Sequence, residues 1–366
     1  MSNEVARSFL PSEIWWAENY TLLLSHGYAL RKRYSPDWVP TWEQPGNDKI
    51  SPWACEDSIV LHGVCDAKVA DATRTADGVK VVLKRVQTGQ EADLSFHFGK
   101  ILLEDYPHPD NRAVPVLDMI QLPQQLLVVM PFLREFDDPP FERLGQVSEA
   151  LHQFLKASAS GYQIFLADLA ANQGTQYFHE RHVAHRDLGP GNLMMDATCI
   201  IPGGWHMCQP WSTDLTISTG IESVPRHIAG PVNYFIIDFG LSMGFPMEMP
   251  LEYARDTGVF GQYWRQTPEL SDTIPNNPFK VDIWQLGNVI AILLKKYDGL
   301  DIFRDLAGKM TATDPDQRPW IGECLNIFEG ITSTIDEDAP LQFNSSDSSS
   351  DSAGPASEDK ISENGT

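Results

Sequence analysis

The sequence predicts an α+β fold with two lobes. Strand patterns dominate the chain up to about residue 131, and helical patterns dominate after Phe132. Such a separation of strands from helices is typical of α+β architectures and not of alternating α/β folds. With 366 residues, 42% of them hydrophobic, the chain is long enough to bury a sizeable core.

The first segment, residues 1–57, reads as an N-terminal extension rich in tryptophan. Apolar residues at helical spacing predict a helix from Ser12 to about Ser25, with Ser12 as its cap. Loops follow, because the next residues are rich in proline and glycine. The tryptophans either pack the extension onto the body, the commoner role, or form a binding platform. They are Trp15, Trp16, Trp38, Trp42 and Trp53.

Residues 58–131 are predicted to form a small sheet with one helix, the first lobe. Two β-rich runs, at 69–74 and 79–86, flank the turn sequence "TADG", which predicts a hairpin. The further elements expected here are a helix at 91–103 and strands at 114–120 and 126–132.

Residues 132–332 are predicted to form a larger, helical lobe. Long runs with apolar residues at helical intervals begin near Phe141, Tyr162 and Val281. Two short strands, "NLMMD" and "YFIID", flank a stretch at about 198–231 that is rich in Pro, Gly and Ser. This stretch is too long for a simple connection, so it is either an ordered excursion or a mobile insert.

Charge and composition narrow the class of protein. The formal charge of −23, from 27 basic and 50 acidic residues, argues against nucleic acid or an anionic membrane as the main partner. Residues 333–366 are acidic and of low complexity, which predicts a disordered tail. Five scattered cysteines and the absence of a signal-peptide or membrane-length apolar run favour an intracellular protein, cytoplasmic or nuclear.

Four polar side chains are expected at the junction of the two lobes. Lys84 ends an apolar strand, Asp187 and Asn192 share a loop, and Asp238 follows the strand "YFII". Carboxylate and amide oxygens suit a hard divalent ion, and a lysine suits the phosphates that such an ion accompanies. A carboxylate left free of metal, which we assign to Asp187, can accept a proton from an attacking hydroxyl.

The motifs around these residues resemble those of eukaryotic protein kinases. "HRDLGPGN" at 185–192 resembles the catalytic loop, and "DFG" at 238–240 resembles the metal-binding motif that follows it. The other matches, in the right order along the chain, are "VVLK" at 81–84, "TPE" at 267–269, "DIWQLG" at 282–287 and "DQRP" at 316–319.

The resemblance implies a bilobal fold, ATP and Mg²⁺ as cofactors, and a protein substrate. Asp187 would be the catalytic base, and Asn192 and Asp238 would hold the metal. Lys84 would hold the ATP phosphates and pair with Glu91, which follows it by an unusually short seven residues. The tryptophan-rich start and the long insert resemble, more narrowly, a group of fungal protein-kinase-like proteins.

The resemblance also places the nucleotide base. Val82 and Met194 would sandwich the ring, and Met130 would be the gatekeeper beside it. Pro131 and Leu133 would form the hinge. Pro131, which has no N–H, would offer only its carbonyl, and Leu133 would supply the N–H that the base requires. Plain core packing is the alternative role for these apolar residues.

Structural roles are implied for three further residues. Asp282 would brace the catalytic loop from below. Arg318 would pair with Glu269 of "TPE", the motif that resembles the end of the activation segment. Thr257 is a possible phosphorylation site in the activation segment, although an ordinary loop threonine is the commoner reading.

Two departures from the family pattern keep a second function open. Gly189 stands where serine/threonine kinases usually carry a lysine, and Gly63 alone represents the glycine-rich loop. A lost charge of this kind typically costs on the order of 10²–10³ in rate where the site depends on it. The sequence therefore favours a protein kinase, with Ser or Thr as the expected acceptor, over a pseudokinase scaffold. A small-molecule phosphotransferase is disfavoured by "TPE" and "DIWQLG".

Overall fold

The computed structural model describes most of the chain. The described residues are 6–47, 49–61, 68–86, 111–122, 125–157, 176–213, 220–258 and 267–344. The predicted helix at 91–103, together with Gly63 and Glu91, lies outside them.

A five-stranded antiparallel sheet forms the first lobe, and its spatial order is β1-β2-β3-β5-β4. The hairpin predicted around "TADG" is confirmed, with Val69 opposite Lys84 and Thr73 opposite Lys80. The strands are β1 (Tyr28–Leu30), β2 (Val69–Arg74), β3 (Lys80–Val86), β4 (Asp118–Gln121) and β5 (Leu126–Pro131).

The edge strand β1 comes from the segment predicted as an N-terminal extension. Tyr28 lies opposite Arg74 and Leu30 lies opposite Ala72, so the partners are more than 40 positions apart in sequence. Between β1 and β2 the chain makes short 3₁₀ turns, at 32–34, 41–43, 52–54 and 56–58. The extension therefore contributes an edge strand to the sheet of the first lobe.

The outward face of the sheet is covered by two short helices, α1 (Pro11–Glu18) and α2 (Tyr20–Ser25). The helix predicted to start at Ser12 starts instead at Pro11, with Leu10 at the N-cap, because proline is well tolerated in the first helical turn. Trp16 is fully buried against this face, and Trp42 is 6% exposed, whereas Trp53 is 51% exposed. Packing is thus the role of at least two of the tryptophans.

A buried ion pair fixes the extension. The Glu13 carboxylate lies 3.1 Å from Arg33 Nε, and both side chains are fully buried. Glu13 also accepts hydrogen bonds from the Tyr34 hydroxyl at 2.9 Å and from the Leu61 N–H at 3.1 Å. These contacts join α1 to both ends of the segment between β1 and β2, and burial beside Glu13 raises the pKa of Tyr34.

The second lobe is mainly helical. The helices of this lobe are α3 (Leu144–Ala157), α4 (Gln176–Glu180), α5 (Arg226–Ala229), α6 (Pro278–Lys296), α7 (Arg304–Met310) and α8 (Ile321–Thr332). The strands of this lobe are β6 (Arg134–Glu135), β7 (Val183–Ala184), β8 (Leu193–Met195), β9 (Tyr234–Ile236), β10 (Met243–Gly244), β11 (Tyr297–Asp298) and β12 (Gln342–Phe343). The long central helix α6 begins where Asn277 accepts hydrogen bonds from the N–H groups of Phe279 and Lys280.

Part of the segment predicted as a disordered tail packs against this lobe. Residues 333–344 lie along the start of α3, where the N–H groups of Leu144 and Gly145 donate to the carbonyls of Ala339 and Glu337, each at 2.9 Å. The pair β11–β12 continues this contact. These carbonyls satisfy N–H groups that a helix start leaves unpaired, which is a physical reason for the order of the segment.

The insert at 198–231 is ordered wherever the structure describes it. Ile200 and Ile201 are 1% exposed and belong to the main core of the second lobe. Arg226 on α5 is 5% exposed, and its guanidinium donates to the carbonyls of Phe136 and Pro139 at 3.1 and 2.7 Å. Of the two alternatives left by the sequence, the ordered excursion is correct for 198–213 and 220–231.

Together these elements form a bilobal α+β fold of the kinase type, as predicted. Among the residues that the structure describes, no helix combines the length and the apolar character needed to cross a membrane.

Candidate functional site

The strand β3 points two of the predicted site residues toward the cleft between the lobes. Val82 lies opposite Met130 and Lys84 lies opposite Val128, and residues paired directly across antiparallel strands share a face of the sheet. Val81 and Leu83, which alternate with them, are fully buried on the other face. The alternation of β3 therefore leaves Val82, Lys84 and Met130 on the cleft side.

Lys84 contacts the second lobe directly. Its ammonium donates to Asp238 Oδ1 at 2.8 Å, across 154 positions of sequence. Partial burial favours the neutral form of Asp238, but the charge and hydrogen bond of Lys84, with the Gly240 N–H, hold the pKa of this carboxyl below its usual range. Asp238 is therefore ionised at neutral pH, as a metal ligand must be.

The position of Asp238 depends on the residue that follows it. Asp238 has a φ of 64°, in the left-handed region, and its carboxylate accepts the Gly240 N–H at 3.1 Å. Phe239 is 2% exposed, with its ring 5.3 Å from that of Phe178 and 5.1 Å from the ring of His185. The buried ring anchors the turn, so that Asp238 is turned toward Lys84.

The loop at 185–192, which resembles a kinase catalytic loop and is called the catalytic loop below, accounts for the five-residue spacing between Asp187 and Asn192. Residues Pro190–Asn192 form a single 3₁₀ turn, which brings the Asn192 side chain back over the loop. Its Nδ2 donates to both the backbone carbonyl and the carboxylate of Asp187, each at 2.8 Å. The amide thus orients the carboxylate, and its own Oδ1 accepts no hydrogen bond from any described residue.

His185 joins the catalytic loop to the strand that precedes Asp238. Its Nδ1 accepts the Asp187 N–H at 3.3 Å, and its Nε2 donates to the Ile237 carbonyl at 3.1 Å. Complete burial lowers the pKa of His185, so the ring is neutral with its proton on Nε2. The backbone N–H of Ile237 also donates to the Asn192 carbonyl at 3.0 Å, which is a second link between the catalytic loop and the strand before Asp238.

Asp282 braces the loop from the central helix, as the sequence predicted. This fully buried carboxylate accepts the backbone N–H groups of His185 and Arg186 at 2.8 and 2.6 Å, and Nε2 of His179 at 2.8 Å. One turn further along α6, Gln285 accepts the Leu188 N–H at 2.8 Å.

The predicted pair of Arg318 and Glu269 is also present. The guanidinium donates to both carboxylate oxygens, at 2.5 and 2.8 Å, and the Arg318 side chain is completely buried. Arg318 donates further to the carbonyls of Lys280 and Ala312. The end of the activation segment is therefore tied to α6 and to the loop before α8.

The donor set is compatible with Mg²⁺. Asp238 Oδ2 and Asn192 Oδ1 accept no hydrogen bond from a described residue, and both are hard oxygen ligands. Within the described ranges no cluster of three or more His, Cys, Asp or Glu side chains forms a closed metal cage. Two protein ligands would leave most of the coordination of such an ion to other groups.

The predicted base site is half-buried. Val82, Met130, Pro131 and Met194 have intermediate exposure, while Leu133 is 8% exposed. The Leu133 N–H donates to no described residue, and Pro131 has no N–H to donate. Their roles toward a nucleotide stay predictions.

The insert contributes residues that the sequence did not single out. The ring of Trp205 stacks on Phe132 of the predicted hinge, 4.8 Å away and 20° from parallel, and Lys80 Nζ donates to the Trp205 carbonyl at 3.2 Å. His206, 1% exposed, donates through Nε2 to Glu56 at 3.1 Å. The two tryptophans of the insert, Trp205 and Trp211, were the signal that could have found this contact.

Gly189, in place of the usual lysine, is not required by the backbone. The residue is buried, with φ −112° and ψ 168°, an extended conformation that any residue adopts. The missing charge is therefore a property of the site and not a by-product of a strained turn.

Comparisons with known proteins agree with this geometry. The chain is 25% identical over 280 residues to mitogen-activated protein kinase 12 of Mus musculus, covering 72% of this chain and 61% of that protein. It is 27% identical over 279 residues to the same kinase of Rattus norvegicus, with the same coverage of both chains. It is 28% identical over 162 residues to mitogen-activated protein kinase MKC1 of Candida albicans, covering 42% of this chain and 24% of that protein.

No family model matches the chain. The chain spans less than two thirds of the length of the curated relatives named above. The similarities, at 25–28% identity, support a place in the protein kinase superfamily.

Proposed function

We propose that the chain is an ATP-dependent protein kinase that transfers the γ-phosphoryl group to a Ser or Thr hydroxyl of a protein substrate. The observation that carries the proposal is the convergence of Lys84, Asp187, Asn192 and Asp238, drawn from three separate stretches of sequence, on one cleft. Convergence of a lysine, an amide and two acids favours phosphoryl transfer, in which catalysis is mainly positioning and charge neutralisation.

Each residue has a role in the proposed reaction. Asp187 accepts the proton of the attacking hydroxyl while that oxygen forms its bond to the γ-phosphorus and the bond from phosphorus to the β,γ-bridging oxygen breaks, leaving ADP. Lys84 neutralises phosphate charge. Asn192 and Asp238 hold Mg²⁺, which when bound offsets the negative charge of the phosphates.

A protein substrate is favoured over a small molecule by the pair of Glu269 and Arg318. This buried pair fixes the end of the activation segment against the helical lobe. The fixed segment offers a binding surface to a substrate that extends beyond the cleft. The mammalian and Candida relatives are named as protein kinases, which agrees with this class. The fungal affiliation and the intracellular location remain predictions.

The proposal is tested by transfer of labelled γ-phosphate, from Mg·ATP to a panel of acceptor proteins and to the chain itself. Asp187→Asn is the matched control, because it preserves size while removing the proton acceptor. We expect transfer by the wild-type protein that falls by at least a hundredfold in the variant. Equal background signal from both proteins would contradict the proposal.

A pseudokinase is the second candidate, and Gly189 is the observation that favours it. Without a cation at this place the transferred phosphoryl group loses one stabilising partner. Titration calorimetry separates the two candidates: tight binding of Mg·ATP without any transfer would identify a nucleotide-binding scaffold, and no binding would identify a nucleotide-free one.

A further inference from the structure

Arg186, directly before the proposed catalytic base, has an unusual backbone. Its φ is 70°, in the left-handed region that residues other than glycine rarely adopt. Asp282 accepts its N–H at 2.6 Å, and Gln285 donates to its carbonyl at 2.9 Å. Both partners belong to α6, so the central helix holds the backbone of Arg186 but leaves its side chain to other contacts.

The side chain of Arg186 is held by the activation segment. Its guanidinium lies 2.6 Å from Asp256 Oδ2, with only 9% of the arginine side chain and 23% of the aspartate side chain exposed. The same Nη2 donates to the Thr257 carbonyl at 3.2 Å. Among the described residues, Asp256 is the only acid whose side chain pairs with this guanidinium.

Asp256 is itself fixed by the loop before the central helix. Its N–H donates to the Asn276 carbonyl at 3.0 Å and its carbonyl accepts the Asn276 N–H at 2.8 Å, a small antiparallel bridge. Asn277 then caps α6 and donates its amide to the Leu251 carbonyl at 2.8 Å. Two positions before Asp256, Ala254 is fully buried.

These contacts form a closed ring. It runs from α6 through Asp282 to Arg186, from Arg186 to Asp256, and from Asp256 through Asn276 back to the cap of α6. Asp187 and Asn192 lie on the part of the loop that the ring holds. The carboxylate of Asp256 therefore helps to support the catalytic loop.

We propose that Asp256 is a positioning residue that acts through Arg186, and that its carboxylate makes phosphorylation of Thr257 unnecessary for activity. This inference rests on the proposed kinase function. The Thr257 contact to Arg186 is made by the backbone carbonyl, and the guanidinium already has a carboxylate partner, so no added phosphate is needed to neutralise it.

The kinetic test compares Asp256→Asn, Asp256→Glu and Thr257→Ala with the wild-type protein. We expect Asp256→Asn to lower kcat about tenfold, equivalent to about 1.4 kcal/mol, while KM for ATP changes less than about twofold. Asp256→Glu should recover most of the loss, since it keeps the charge. Thr257→Ala and phosphatase treatment of the wild-type protein should leave kcat unchanged.

Two results would overturn the proposal: an Asp256→Asn enzyme with wild-type kcat, or a Thr257→Ala or phosphatase-treated enzyme that loses as much activity as Asp256→Asn. The matched control is Asp272→Asn, which removes an exposed acid from the neighbouring loop. Intact-mass measurement of each protein verifies its phosphorylation state.

Hydrogen exchange separates this inference from the proposed function. If the wild-type protein transfers no phosphate, the kinase proposal fails. Amide exchange at residues 183–195 then shows whether the ring of contacts through Asp256 supports the catalytic loop. Faster exchange in Asp256→Asn, with wild-type rates in Asp272→Asn, supports the ring; equal rates in all three proteins exclude it.

Discussion

Substitution of Asp282 by asparagine tests how the catalytic loop is held. The carboxylate accepts three hydrogen bonds, from the N–H groups of His185 and Arg186 and from the His179 ring, and it is fully buried. Asparagine keeps the size but offers one oxygen and one NH₂ group. Because the His185 N–H and His179 share Oδ2, the least costly orientation places the amide oxygen there and the NH₂ group against the Arg186 N–H.

The magnitude follows from that geometry. The variant loses one charge-assisted hydrogen bond and leaves one buried N–H facing another donor, which together cost about 2–3 kcal/mol. For a domain of this size class, each kcal/mol lowers Tm by about 2–4 °C, so we expect a fall of about 4–12 °C. Because Arg186 is the residue released, phosphate transfer should decrease by more than the loss of folded protein accounts for.

The assay is thermal unfolding followed by circular dichroism, with transfer activity measured well below Tm. Asp272→Asn, which removes an exposed acid from the loop before α6, serves as the control and should stay within about 2 °C of wild type. A stable, fully active Asp282→Asn protein would refute the reasoning, because it would show that the loop keeps its conformation without the carboxylate.

Three further perturbations address other parts of the structure. Glu269→Ala leaves the buried Arg318 charge without its partner, which costs about 3–5 kcal/mol and should lower Tm by about 10 °C in the same unfolding assay; no shift would contradict it. Gly189→Lys should raise kcat at least tenfold in steady-state transfer assays by restoring a cation near the phosphoryl group, and an unchanged kcat would show that the site works without one. Glu56 has a pKa near 2, against 4.5 for a free glutamate: burial opposes the shift, but His206 and Arg31 more than offset it. The stabilisation, about 3 kcal/mol, is present above pH 4.5 and lost as pH falls toward 2. In urea unfolding, the advantage of wild type over Glu56→Gln should therefore shrink across that range, and a constant difference would be inconsistent with it.

Short-range sequence patterns were sufficient to predict the elements formed by residues that are close together in the chain. The β2–β3 hairpin follows from two β-rich runs and a Gly-containing turn. The helix α6 follows from a long apolar period that begins near Val281, although in the structure the helix starts three residues earlier, at Pro278. The contact between Asp187 and Asn192 was predictable for the same reason, since five residues and one turn connect them.

Contacts between distant parts of the chain were not predictable from periodicity. Three residues, Tyr28–Leu30, carry no alternation long enough to distinguish a strand from a loop, and their partners lie beyond a segment of more than 30 residues. The pair of Arg186 and Asp256 spans 70 positions and involves residue types that are common on any surface. The order of residues 333–344 depends on carbonyl acceptors for the start of α3, which composition does not reveal.

The N-terminal extension and the insert at 198–231 contact each other beside the hinge. For each of them the sequence left two alternatives. Arg31 and Glu56 belong to the segment between β1 and β2, and Glu56 receives the hydrogen bond of His206 from an insert rooted in the core of the second lobe. Trp205 stacks on Phe132 of the hinge itself. Along this edge of the described structure, the contacts of the insert therefore form a second connection between the lobes, beside the hinge. Separating the lobes at this edge has to break a partly buried hydrogen bond to the Glu56 carboxylate and a ring stack, whereas bending a single hinge strand would break neither.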